Sequence, residues 1–68
     1  MEFESRESLG LKVRVERIKR RLKQSELAAL VGVSQADVSQ LELDKKLVSA
    51  RRQRILSALG IEEAGNAQ

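Results

Sequence analysis

The sequence predicts an all-α fold, a compact bundle of four helices, or five if residues 43–48 add a helical turn. Three observations predict it. Apolar residues recur at helical spacing in successive stretches of the chain. Cap and stop residues, Ser8, Gly32, Ser34, Ser49 and Gly60, punctuate those stretches. The 68 residues contain no proline and no convincing strand. The alternation Leu11, Val13, Val15 would suit a short strand, but it runs into unbroken helical charges.

The first helix is expected from Leu9 to Arg21, capped by Ser8 and rich in the good helix formers Arg, Lys and Glu. It carries two apolar stripes, Leu9 with Val13, and Leu11 with Val15, Ile18 and Leu22. At 100° per residue they lie on nearly opposite sides, so the helix is either buried on both or contacts a partner. The second helix runs from about Gln24 to Val31, with Leu27, Ala28 and Val31 on one face. Gly32 ends it, because the residue past a helix often needs positive φ. Ser34 and Asp37 form an S-x-x-D capping box for the third helix, Gln35 to about Leu41. Val38 and Leu41 point inward there, leaving Gln35, Ala36, Ser39 and Gln40 outside. Two helices this close in sequence are held at a steep angle, and the second can lie in a DNA major groove. A loop with Lys45, Lys46, Leu47 and Val48 follows. Ser49 is expected to cap the fourth helix, which reaches about Leu59 and buries Ile55, Leu56 and Leu59. Gly60 terminates it.

Composition narrows the function classes. Without cysteine there is no disulfide or thiolate metal site. Without histidine there is no imidazole for proton transfer or for a metal. No carboxylate pair looks placed for acid–base chemistry, and no glycine-rich phosphate loop follows a strand. An enzyme is not expected, nor a cofactor, nor a metal. No apolar run approaches the ~20 residues of a membrane span. One Phe and no Trp or Tyr argue against stacking on single strands. The net charge of +3 is unevenly spread. Residues 1–8 and 62–68 each carry −2, and are read as a mobile acidic arm and a flexible tail. Residues 9–61 hold twelve Lys/Arg against five acidic residues, a net of +7 that suits a polyanionic partner.

The stretch from Leu9 to Ile61 resembles the phage-repressor and Cro type of helix-turn-helix domain, the Xre family. Leu9-Gly10, Val13 and Arg17 look like its opening helix, and Leu22, Gln24, Leu27 and Ala28 like the start of its second. Gly32-Val33-Ser34-Gln35 looks like its turn, Val38, Leu41 and Glu42 like the end of its recognition helix, and Ala58-Leu59-Gly60-Ile61 like its last core helix. The spacings hold without a gap over about three-quarters of the chain. The resemblance implies a lambda-repressor-like DNA-binding domain. It implies base contacts from Gln35, Ala36, Ser39 and Gln40; a glutamine amide can bond adenine N6 and N7 together. It implies phosphate contacts from Gln24, Ser34, Lys45, Lys46 and Arg51, and a structural ion pair between Arg17 and Glu42. There are departures. Lys23 stands where the second helix usually has a Ser or Thr cap, Arg21 replaces a common glycine, and Glu16 replaces a core Leu. Arg51 and Arg52 stand where apolar core or dimer residues are frequent.

The expected function is sequence-specific binding of double-stranded DNA to regulate transcription, as a repressor that occupies a promoter. A homodimer on a pseudo-palindromic operator is expected, with Leu47 or Val48 at the dimer contact and the second stripe of the first helix nearby. The expected location is the cytoplasm, on the bacterial nucleoid or in a phage-infected host cell. The alternative is an antitoxin or adaptor module whose main partner is another protein. The apolar residues Leu11, Val15, Leu30, Leu47 and Val48 would suit it.

Overall fold

The computed structural model describes residues 8–62, which form four helices: α1 (Leu9–Lys19), α2 (Gln24–Val31), α3 (Gln35–Glu42) and α4 (Ser49–Leu59). Most of the expected arm and tail, residues 1–7 and 63–68, lies outside the described residues. The count is four, since residues 43–48 contain no helical turn. Leu11, Val13 and Val15 all lie within α1.

One device ends every helix. A left-handed residue stands at the cap of α2 and α4 and just past the cap of α1 and α3, and the next N–H reaches back five residues to a helical carbonyl. The left-handed residues are Arg21 (φ 58°), Gly32 (78°), Asp44 (61°) and Gly60 (70°). The returning bonds run from the N–H groups of Leu22, Val33, Lys45 and Ile61 to the carbonyls of Arg17, Ala28, Gln40 and Leu56, at 2.9–3.2 Å. This is the Schellman arrangement, which satisfies otherwise orphaned carbonyls. Leu22, Val33 and Ile61 then pack against the core, while Lys45 faces solvent. The expected first helix is therefore too long by two residues. Arg20 is its cap and Arg21 its left-handed stop. That break also takes Leu22 off the outer stripe and onto the core.

Ser8 and Ser34 cap α1 and α3 as expected, accepting from the N–H groups of Leu11 at 3.0 Å and Asp37 at 3.1 Å. Ser49 does not cap α4. It is the first helical residue, and Val48 holds the cap position with no side-chain acceptor. At α2, Lys23 likewise offers no acceptor, but the reciprocal half of a capping box is made: its N–H donates to Glu26 Oε1 at 2.8 Å.

Val13, Leu27, Ala28, Val38, Leu41, Ile55, Leu56 and Leu59 form the core, one contribution or more from every helix. Leu9, Leu22, Val31, Val33, Leu47 and Ile61 close its edge. Gly10 sets how tightly α1 sits on α3. A Cβ there would lie 2.4 Å from the Glu42 carbonyl oxygen and 2.7 Å from that of Leu41. The same close approach lets the Gly10 N–H donate to Asp44 Oδ1 at 2.8 Å. The other face of α1 has no cover among the described residues, and Leu11, Val15 and Ile18 are exposed. Glu16 takes up the expected departure from a core leucine by pairing with Arg20 at 2.7 Å and Lys19 at 3.2 Å. Those hydrogen bonds, Arg20's first, hold its carboxyl below the usual range.

Candidate nucleic-acid interface

α3 is clamped at both ends, and its outer face is left clear. At its start, the Ser34 N–H donates to Asp37 Oδ2 at 3.0 Å, and Arg51 Nη1 of α4 donates to Asp37 Oδ1 at 3.1 Å. Asp37 is only 7% exposed. The Ser34 backbone N–H is the main reason its carboxyl stays below the usual range; the Ser34 hydroxyl and the Arg51 charge act the same way, and burial opposes them. Arg54 Nη1 adds a bond to the Gly32 carbonyl at 3.3 Å. Two α4 arginines thus brace the turn between α2 and α3.

At its end, Glu42 accepts from Arg17 Nε at 2.6 Å and from Arg17 Nη2 at 3.1 Å, a bidentate pair. These side chains are 12% and 5% exposed. Arg17 Nη1 donates to the Leu22 carbonyl at 2.8 Å, so one guanidinium joins α1, the turn after it and α3. The network continues outward. Gln24 Nε2 donates to Glu42 Oε1 at 3.0 Å, and Gln24 Oε1 accepts from Gln35 Nε2 at 2.8 Å. The expected phosphate residue of α2 and the first expected base reader of α3 therefore sit on one hydrogen-bonded chain that starts at a buried ion pair.

The other expected residues fall as follows. Gln35, Ala36 and Gln40 are exposed on α3 and Ser39 is half-buried. Lys45 and Lys46 are exposed in the loop that leaves α3. Ser34 is exposed with its hydroxyl engaged in the cap. Arg51 is about half exposed while paired to Asp37. Of the two dimer candidates, Leu47 packs half-buried against the core and Val48 is exposed. Sequence reasoning passed over two residues beside this face. Arg14 and Leu43 line a recess of about 280 Å³ with Arg17, Gln24, Ser39 and Glu42. Arg14 lies one turn before Arg17, and Leu43 one turn after Ser39, spacings that could have flagged both.

Among the described residues, no helix is long and apolar enough to cross a membrane. The family model described as helix-turn-helix matches residues 13–65, most of the chain. No curated protein matches it.

Proposed function

We propose that this chain, which belongs to the Cro/Xre-type helix-turn-helix family of DNA-binding regulators, represses transcription as a homodimer on a pseudo-palindromic operator. The observation that carries the reading is the outer face of α3. It is braced at Asp37 and at Glu42 and presents Gln35, Ala36 and Gln40 to solvent. A braced helix loses little freedom on docking, so its amides are ready for base edges in the major groove. Lys45 and Lys46 leave its far end, where they can neutralise phosphates and fix the register.

Self-association is supported by uncovered aliphatic side chains. Leu11, Val15 and Ile18 on α1, and Val48 before α4, are all exposed. A second copy would cover such side chains and set two recognition helices at half-site spacing. The same side chains would serve an antitoxin or adaptor that covers them with another protein. Sedimentation equilibrium at tens of micromolar separates the two: a monomer of 7.6 kDa would refute the homodimer.

Selection from random duplex DNA tests the main reading. It should return a palindrome with half-sites about one helical turn apart. Gln40→Ala should then lose ~1–3 kcal/mol of discrimination at one position. Lys45→Ala and Lys46→Ala should weaken binding to every sequence alike and reduce the salt slope by up to ~1 for each phosphate left without its cation. A chain that enriches no sequence and binds with no salt dependence would overturn it.

A further inference from the structure

The geometry points to Leu43 as a specificity-determining residue that reads the methyl group of a thymine. The inference rests on the DNA-binding reading and deepens it. Leu43 caps α3 with near-helical backbone angles (φ −92°, ψ 9°), so the helical register runs through it. Ala36, Gln40 and Leu43 are spaced at i, i+4 and i+7, which puts them on one stripe. Leu43 is thus the apolar end of the face that carries the expected base contacts. It is 62% exposed, whereas its neighbour Leu41 is buried in the core.

The surroundings say what would cover it. The recess that Leu43 lines is otherwise made of Arg14, Arg17, Gln24, Ser39 and Glu42. A rim so polar is a poor match for an apolar protein surface and a good one for a nucleic acid edge. The α3 helix has eight residues, about 12 Å of length at 1.5 Å each. The major groove is about 12 Å wide, so both ends of the helix fall between its walls. In sequence Leu43 stands between Gln40, which faces base edges, and Lys45 and Lys46, which would meet phosphates. It therefore lies where base edges give way to backbone. In the major groove the one apolar group on any base edge is the C5-methyl of thymine. That methyl projects from the side of the base nearest its own sugar-phosphate strand. A leucine placed over the amino or carbonyl edges of the other bases would leave them without hydrogen-bond partners.

The test starts from the sites selected by the unmodified chain. Each thymine in the site is replaced in turn by deoxyuridine, which removes the methyl and keeps the pairing. One thymine per half-site should then bind about three- to fivefold more weakly, the effect of withdrawing one buried methyl group. Leu43→Ala should bind thymine and deoxyuridine alike at that position and keep its response at every other. Leu43→Asn, which preserves length and branching and removes the apolar surface, should do the same. If the chain is indifferent to every thymine methyl, or if Leu43→Ala keeps the full penalty, the assignment is overturned while duplex binding stands. If selection enriches no site, the assignment falls together with the proposed function.

Discussion

Gly10→Ala should destabilise the domain, although alanine is the better helix former. The added Cβ would lie 2.4 Å from the Glu42 carbonyl oxygen and 2.7 Å from that of Leu41. Carbon and carbonyl oxygen settle at about 3.3 Å or more, so α1 must withdraw from α3 by roughly 0.9 Å. Both obstacles are backbone, so neither can rotate away. The withdrawal stretches the Gly10 to Asp44 bond from 2.8 Å past the range of a good hydrogen bond. It also pulls on the Arg17–Glu42 pair. Overpacking costs ~1–3 kcal/mol, and the lost bond to a carboxylate adds ~1.5–3 kcal/mol. The gain from alanine offsets ~0.5–1 kcal/mol. The net is a loss of about 1.5–5.5 kcal/mol, a large part of what a core of this size supplies. Circular dichroism during urea and thermal unfolding measures it; the melting temperature should drop by on the order of 10 °C or more. Lys12→Ala, an exposed change in the same turn, should stay within about 0.5 kcal/mol. A Gly10→Ala protein as stable as the parent would refute the close approach.

Arg21→Gly should stabilise by ~0.5–1 kcal/mol in the same melts, because Arg21 sits at φ 58° and glycine relieves a left-handed strain of ~1–2 kcal/mol at some entropic cost; Asp44→Gly should instead destabilise, since it removes the acceptor of the Gly10 N–H. Arg17→Ala and Glu42→Ala should each lose ~3–5 kcal/mol by stranding a largely buried charge. A double-mutant cycle should show strong coupling, and additive losses would show that the pair is not made. Asp37 has its pKa lowered from 3.8 by the Ser34 N–H first, then by the Ser34 hydroxyl and the Arg51 charge. Its contribution is therefore full above pH 3.8 and lost as pH falls through the lower folded value. Asp37→Asn should be less stable at neutral pH and should lose less than the parent on acidification, and parallel acid profiles would count against the clamp.

The apolar periodicity of the chain was enough to locate α2, α3 and α4 to within a residue, and to name the eight-residue core except for how α1 joins it. The two glycine stops were legible because glycine accepts positive φ without a steric penalty. The other two left-handed stops were not. Arg21 and Asp44 adopt that conformation because returning bonds from Leu22 and Lys45 and, for Asp44, a bond to Gly10 outweigh the local preference; these depend on tertiary packing. The Ser49 cap failed for a related reason: a serine near a helix start can be the cap or the first helical residue, and only the path of the loop decides.

Arginine is where sequence and site diverge most. The +7 of residues 9–61 counts every guanidinium equally. Packing distributes them unequally. Arg17 is committed to Glu42 and the Leu22 carbonyl, Arg20 to Glu16 and the Leu59 carbonyl, Arg51 to Asp37, and Arg54 to the Gly32 carbonyl. A guanidinium has five donors in a planar fork, so it satisfies carbonyls that a point-charge lysine serves less well. Four arginines thus hold helices together, while Lys45 and Lys46 stay exposed in the loop after α3. That division follows from donor geometry, which a count of formal charge does not contain. It also explains why Gln24 and Gln35, which carry no charge, are tied to Glu42 through one hydrogen-bonded chain. Once Arg17 has neutralised that carboxylate, its remaining acceptor capacity orients an amide, and the amide orients Gln35, the first residue of α3.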